Sequence, residues 1–169
     1  MHPAFALTQR RLLELREEFG LFIAAEALVV GLLAQNTEKA AEWARNALRG
    51  TGVESVYTGI EGILKDLLLE TDGQVFAAPE SWHAHLLAQA AAATDERAAI
   101  ISEPVYTKLD EIRRFRHVER NVYRQEFREP DVVRNFELLK EVFPEFVADI
   151  ERLISRYAPP APPGSTGPS

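Results

Sequence analysis

Apolar residues recur at intervals of three and four along almost the whole chain, and no stretch sustains the alternation of period two that a half-buried strand needs. Positions i, i+3 and i+4 share one side of a helix, so such a chain buries its apolar side chains by packing helices on one another. The expected fold is therefore an all-α, up-and-down bundle of five or six helices. At 169 residues it fits one domain, large enough to bury roughly 70% of its unfolded surface.

Leu12, Leu15, Phe19, Phe22 and Ile23 predict a first helix from about Ala4 to Gln35, with Gly20 as the place for a bend. Asn36 and Thr37 supply cap chemistry for a second, from about Glu38 to Leu69, carrying the stripe Val53, Val56, Tyr57, Ile60, Ile63, Leu64 and Leu67. Gly50 and Gly52 weaken its middle. Gly59 and Gly62 also cost helix propensity, which either close approach of a neighbouring helix or simple tolerance explains.

TDG (71–73) closes that stripe, and Pro79 with Ser81 opens a short helix, WHAHLLAQAAA, that buries Trp82, Leu86 and Ala90. Ser102 caps a fourth helix with Pro104 in its first turn. After REPD (128–131) a fifth keeps Phe136, Leu139, Phe143, Phe146, Ile150 and Leu153 in register through Pro144, where a kink or a break is expected. The APPAPPGSTGPS end holds five of the ten prolines and no large side chain, too little apolar surface to offset the entropy of ordering. Residues 1–157 are thus expected to form one domain and 158–169 a disordered tail.

Composition excludes several classes of function. No cysteine is present, so disulfides and thiolate metal sites are ruled out and a cytoplasmic setting is expected. LFIAAEALVVGLLA (21–34) is interrupted by Glu26 and is shorter than the roughly 20 residues that span a bilayer; no membrane role is expected. The formal charge of −7 opposes a protein coated all over by nucleic acid. His83 and His85 diverge by about 200° on a helix and cannot hold one ion together.

Against that acidic background, RRFRHVERNVYR (113–124) packs five arginines and a histidine into twelve positions. With Arg113 at 0°, His117 falls near about 40°, Arg120 near about 340° and Arg124 near about 20°, while Phe115, Val118 and Val122 lie between about 140° and 200°. The expected helix is two-faced, with those apolar residues in the bundle and a basic face opposite. Such a face suits cleavage of an RNA phosphodiester. An imidazole takes the 2′-hydroxyl proton or gives one to the leaving 5′-oxygen near neutral pH, and guanidiniums stabilise the charge that builds on the phosphate. Deoxyribose lacks the internal nucleophile, so DNA would be spared. Residue chemistry alone leaves a plainer alternative open: solvated arginines paired with acids such as Glu119 and Glu126.

Three stretches, YTGIEGILKDLL (57–68), SWHAHLLAQ (81–89) and IRRFRHVERNVY (112–123), followed by a phenylalanine-rich helix around VFPEF (142–146), resemble the HepT-like branch of the HEPN superfamily. The resemblance covers about residues 40 to 155. It implies a small helical domain, commonly homodimeric, that acts as a ribonuclease toxin on RNA, with tRNA as the suggested class. It also implies a minimal nucleotidyltransferase-type antitoxin as partner and no cofactor. The family's site pairs a histidine with an upstream arginine on the same helix, with four to six residues between them.

By that resemblance His117 is the general acid or base. The usual arginine positions hold Ile112, Glu111 and Asp110; Arg113 is the nearest substitute upstream, and Arg120 with Asn121 gives the family's R-N pair downstream. Either Arg113 or Arg120 would hold the phosphate, with Arg116, Asn121 and Arg124 as further RNA contacts. The tyrosine modified in antitoxin-controlled members is Glu119 here, which leaves Tyr123 as the closest candidate. Two other functions fit the same residues: a non-catalytic module that binds nucleotide, RNA or the antitoxin through these arginines, and a structural adaptor whose basic face meets an acidic partner.

Overall fold

A computed structural model of the chain describes the backbone of residues 3–73, 82–121 and 129–157 and the side chains of 5–73, 82–116 and 129–156. Within them lie five helices, α1 (Pro3–Leu32), α2 (Lys39–Asp72), α3 (Trp82–Ala91), α4 (Glu103–Asn121) and α5 (Glu129–Tyr157), and no strand. The expected Pro-rich tail, the Pro79–Ser81 helix start and the 122–128 stretch fall outside the described residues. No helix among the described residues is long and apolar enough to cross a membrane.

Consecutive helices pack on one another, and α5 returns to α2, so α2 to α5 close a ring with α1 laid along α2. The α2 stripe anticipated from sequence is the centre of the core: Val56, Tyr57, Ile60, Leu64 and Leu68 are fully buried. Leu86, Leu87 and Ala90 of α3, Leu109 and Ile112 of α4 and Leu139, Phe146 and Ile150 of α5 meet them. Aromatic contacts fasten α1 to α5, with Phe19 stacked on Phe143 at 4.1 Å between centroids and Phe22 edge-on to Phe136 at 5.4 Å.

Local chemistry explains the helix ends. The Asn36 side-chain oxygen accepts the Glu38 N–H at 2.9 Å, turning the chain out of α1 and into α2. At the far end Gly73 adopts φ 64°, the left-handed conformation that closes a helix, and its N–H donates to the Leu69 carbonyl at 3.0 Å. Ser102 precedes α4, where its carbonyl accepts from Tyr106 N–H and its own N–H donates to the buried Asp149 carboxylate on α5 at 2.7 Å.

Three expectations can be set against the structure. First, of the kink or break expected at Pro144 the break does not occur, and α5 is one helix through it: the proline forfeits one backbone hydrogen bond, but Phe143, Phe146 and Val147 around it are buried, and that packing outweighs the loss. Second, Gly59 and Gly62 play different parts. A Cβ at Gly59 would overlap the Leu15 side chain where α1 crosses α2, as one at Gly52 would overlap the Phe22 ring, whereas Gly62 has open space.

Third, α4 is rotated from the expected orientation. Val105, Leu109, Ile112 and Arg116 are buried, a seam at about 260° to 320° on the scale that puts Arg113 at 0°. Phe115 is only partly buried, and Val118 and Val122 lie outside the described side chains. A rigid helix has one rotation about its axis, and the three apolar residues upstream set it. Arg113, at 0°, therefore borders the buried seam instead of opposing it.

Candidate functional site

Both halves of α4 are tethered. Its start is held by Ser102 on Asp149, and its later half by Arg116, which is 6% exposed and turned into the bundle. Arg116 Nη1 donates to Glu61 Oε2 at 3.0 Å and Nη2 to Thr58 Oγ1 at 3.1 Å, with Glu54 Oε1 3.6 Å away. The guanidinium also lies 4.8 Å from the centroid of the Tyr57 ring, a cation–π arrangement.

Glu61 serves a second partner. His83 Nδ1 on α3 stands 2.6 Å from Glu61 Oε1, so with the carboxylate ionised it is the donor. The His83 ring rests on Trp82 at 3.8 Å between centroids, so this histidine both packs on the tryptophan and hydrogen-bonds to Glu61. Burial first, and then the Glu61 charge, push the Tyr57 phenol far above its ordinary range, against a pull from Arg116 and Arg113. Tyr57 is therefore neutral throughout the physiological range.

Of the arginines assigned to RNA, Arg116 is placed elsewhere than on an exposed basic face. A phosphate could reach its guanidinium only by displacing a buried carboxylate. Arg113 is partly exposed, with Nε on Asp110 Oδ1 at 2.7 Å, and the exposed Arg114 reaches Asp110 Oδ2 at 2.6 Å. One carboxylate thus orders two neighbouring cations near the surface, one helical turn before His117. The backbone of His117, Arg120 and Asn121 continues α4, while their side chains, and Tyr123 and Arg124 entirely, lie outside the described residues.

Glu61 is the residue that sequence reasoning missed. It sits inside the quoted YTGIEGILKDLL stretch, four residues after Tyr57 and three before Leu64, on the side of α2 that faces the core. A carboxylate in such a stripe needs a buried cation or donor, and that signal was available in the sequence.

A family model described as HepT-like protein matches residues 50–157. The chain belongs to that family. No curated protein and no solved structure matches it. The region that defines this chain as HepT-like includes Glu61, His83, Arg113, Arg116 and His117, whereas α1 and the first turns of α2 precede it.

Proposed function

We propose that this HepT-like chain is a metal-independent endoribonuclease of the toxin type. In this reading His117 is the general acid or base, Arg113 or Arg120 neutralises the scissile phosphate, and Asn121 and Arg124 contact flanking RNA. The 2′-oxygen attacks phosphorus as its proton passes to a base, and the 5′-oxygen leaves with a proton from an acid, giving a cyclic phosphate and a free 5′-hydroxyl. Imidazole and guanidinium supply the proton transfer and the charge stabilisation that this step needs. The observation that carries the reading is Arg113, ordered by Asp110 and partly exposed one turn before His117 within the family-matched region. Incubating the purified chain with total tRNA in EDTA, beside His117→Ala, tests it.

A minimal nucleotidyltransferase-type antitoxin as partner and a homodimeric state belong to the same reading. Support for the dimer comes from the outward side of α1, where Leu21, Leu28 and Leu32 are 72%, 63% and 74% exposed. Glu26 is the only charged residue from 19 to 37, and it turns inward to Arg49 at 2.7 Å, which leaves a helix side suited to a second copy of itself.

The runner-up is a module that binds RNA or nucleotide without cutting it. Only three residues separate Arg113 from His117, and that shorter spacing favours binding over cleavage.

A further inference from the structure

Glu61 joins three helices at one buried carboxylate: its side chain is 4% exposed and receives Arg116 from α4 and His83 from α3. An apolar residue at position 116 would have continued the Val105–Leu109–Ile112 seam. Buried ion pairs add little stability over well-packed apolar side chains of similar volume, so burial alone does not account for an arginine here. What the pair adds is direction. A guanidinium that must meet one carboxylate, one threonine hydroxyl and one tyrosine face fixes the rotation of its helix as a greasy seam does not.

We propose that Glu61 is a positioning residue for the proposed ribonuclease site: through Arg116 it fixes the turn of α4 that carries Arg113 and His117, and through His83 it fixes α3 to the same point. The kinetic consequence rests on the ribonuclease reading; the structural one does not. Arg116 and His117 are adjacent, with Cα atoms about 3.8 Å apart. Among the described residues Arg116 Nε has no hydrogen-bond partner, so the hydrogen bonds that hold the guanidinium are those of its two terminal nitrogens. With the Glu61 charge gone, the cation leaves the core for water and takes the end of α4 with it. A misplacement of about 1 Å is enough to cost roughly a hundredfold in rate.

The test compares full-length wild type with Glu61→Gln, which keeps the shape and removes the charge, and Glu61→Asp, which keeps the charge. Total tRNA is the substrate, and amide hydrogen exchange is followed along all five helices. Glu61→Gln should lower kcat by at least about tenfold with KM within about twofold, because position and not affinity is lost. Glu61→Asp should recover part of kcat. Exchange should quicken at 113–121 and at 82–91 while α5 keeps its wild-type rates. Unchanged kcat with unchanged exchange at 113–121 overturns the proposal, as does a uniform quickening in every helix, which marks a merely structural role. If Glu61→Gln does not fold, Glu61→Asp is judged by the same criteria. If the wild type leaves RNA whole, the ribonuclease reading falls by itself and the exchange pattern alone decides the role of Glu61.

Discussion

Arg97 grips Asp72 with two parallel contacts, Nε to Oδ1 at 2.6 Å and Nη2 to Oδ2 at 2.8 Å, so the loop after α3 is clamped to the last turn of α2. The same guanidinium donates to the carbonyls of Ala92 and Gln89. Hydrogen bonding to Arg97 holds the Asp72 carboxyl below its ordinary value of 3.8, against the opposing effect of burial. A depressed folded-state pKa contributes stability that is present above the unfolded value and lost as pH falls through the folded one. Asp72→Asn should therefore cost about 3 kcal/mol at neutral pH. Urea unfolding should show the gap from wild type constant above about pH 5 and closing progressively as pH falls below the unfolded carboxylate value of about 3.9.

The two glycines of TGIEG should respond in opposite directions to the same change. Gly62→Ala adds a methyl in open space and should stabilise α2 by about 0.5 to 1 kcal/mol. Gly59→Ala drives its methyl into Leu15 and should destabilise by about 1 to 3 kcal/mol. Thermal melts of the two variants beside wild type decide this.

That pair also shows what the sequence could and could not express. Period and breakers made the helices legible: the α2 stripe, the closing Gly73 and the turn at Asn36 all stand where the residues put them. Gly59 and Gly62 look alike in sequence because the difference between them is a leucine on another helix. Pro144 looked like an interruption because the strength of the surrounding phenylalanine packing is a tertiary quantity. In α4 the cluster RRFRH drew attention to charge, and its one inward arginine could not be told from its outward neighbours without Glu61. The buried acid was the missing clue, since a core carboxylate requires a cation somewhere in the chain.

If the outward side of α1 meets a second copy, charge placed there should separate the copies without unfolding either. Leu21→Glu with Leu28→Glu alters two side chains that are largely in water within one chain. The double variant should sediment as a monomer with wild-type helicity, while wild type sediments as a dimer.

Arg113 and Arg120 should be separable by kinetics. The arginine that meets the scissile phosphate should cost about 10²- to 10³-fold in kcat when changed to alanine. One that only gathers RNA should raise KM and flatten the salt dependence of binding with kcat kept. Measuring both parameters for Arg113→Ala and Arg120→Ala assigns the roles.

The most direct measurement is cleavage of total tRNA by the purified full-length chain in EDTA, with His117→Ala beside it. The account predicts that wild type cuts to 5′-hydroxyl products. His117→Ala should be slower by about 10² to 10⁴ with an unchanged helical circular-dichroism spectrum. Wild-type protein that binds tRNA with a steep salt dependence yet leaves it whole would contradict the enzyme, as would His117→Ala that cuts at the wild-type rate.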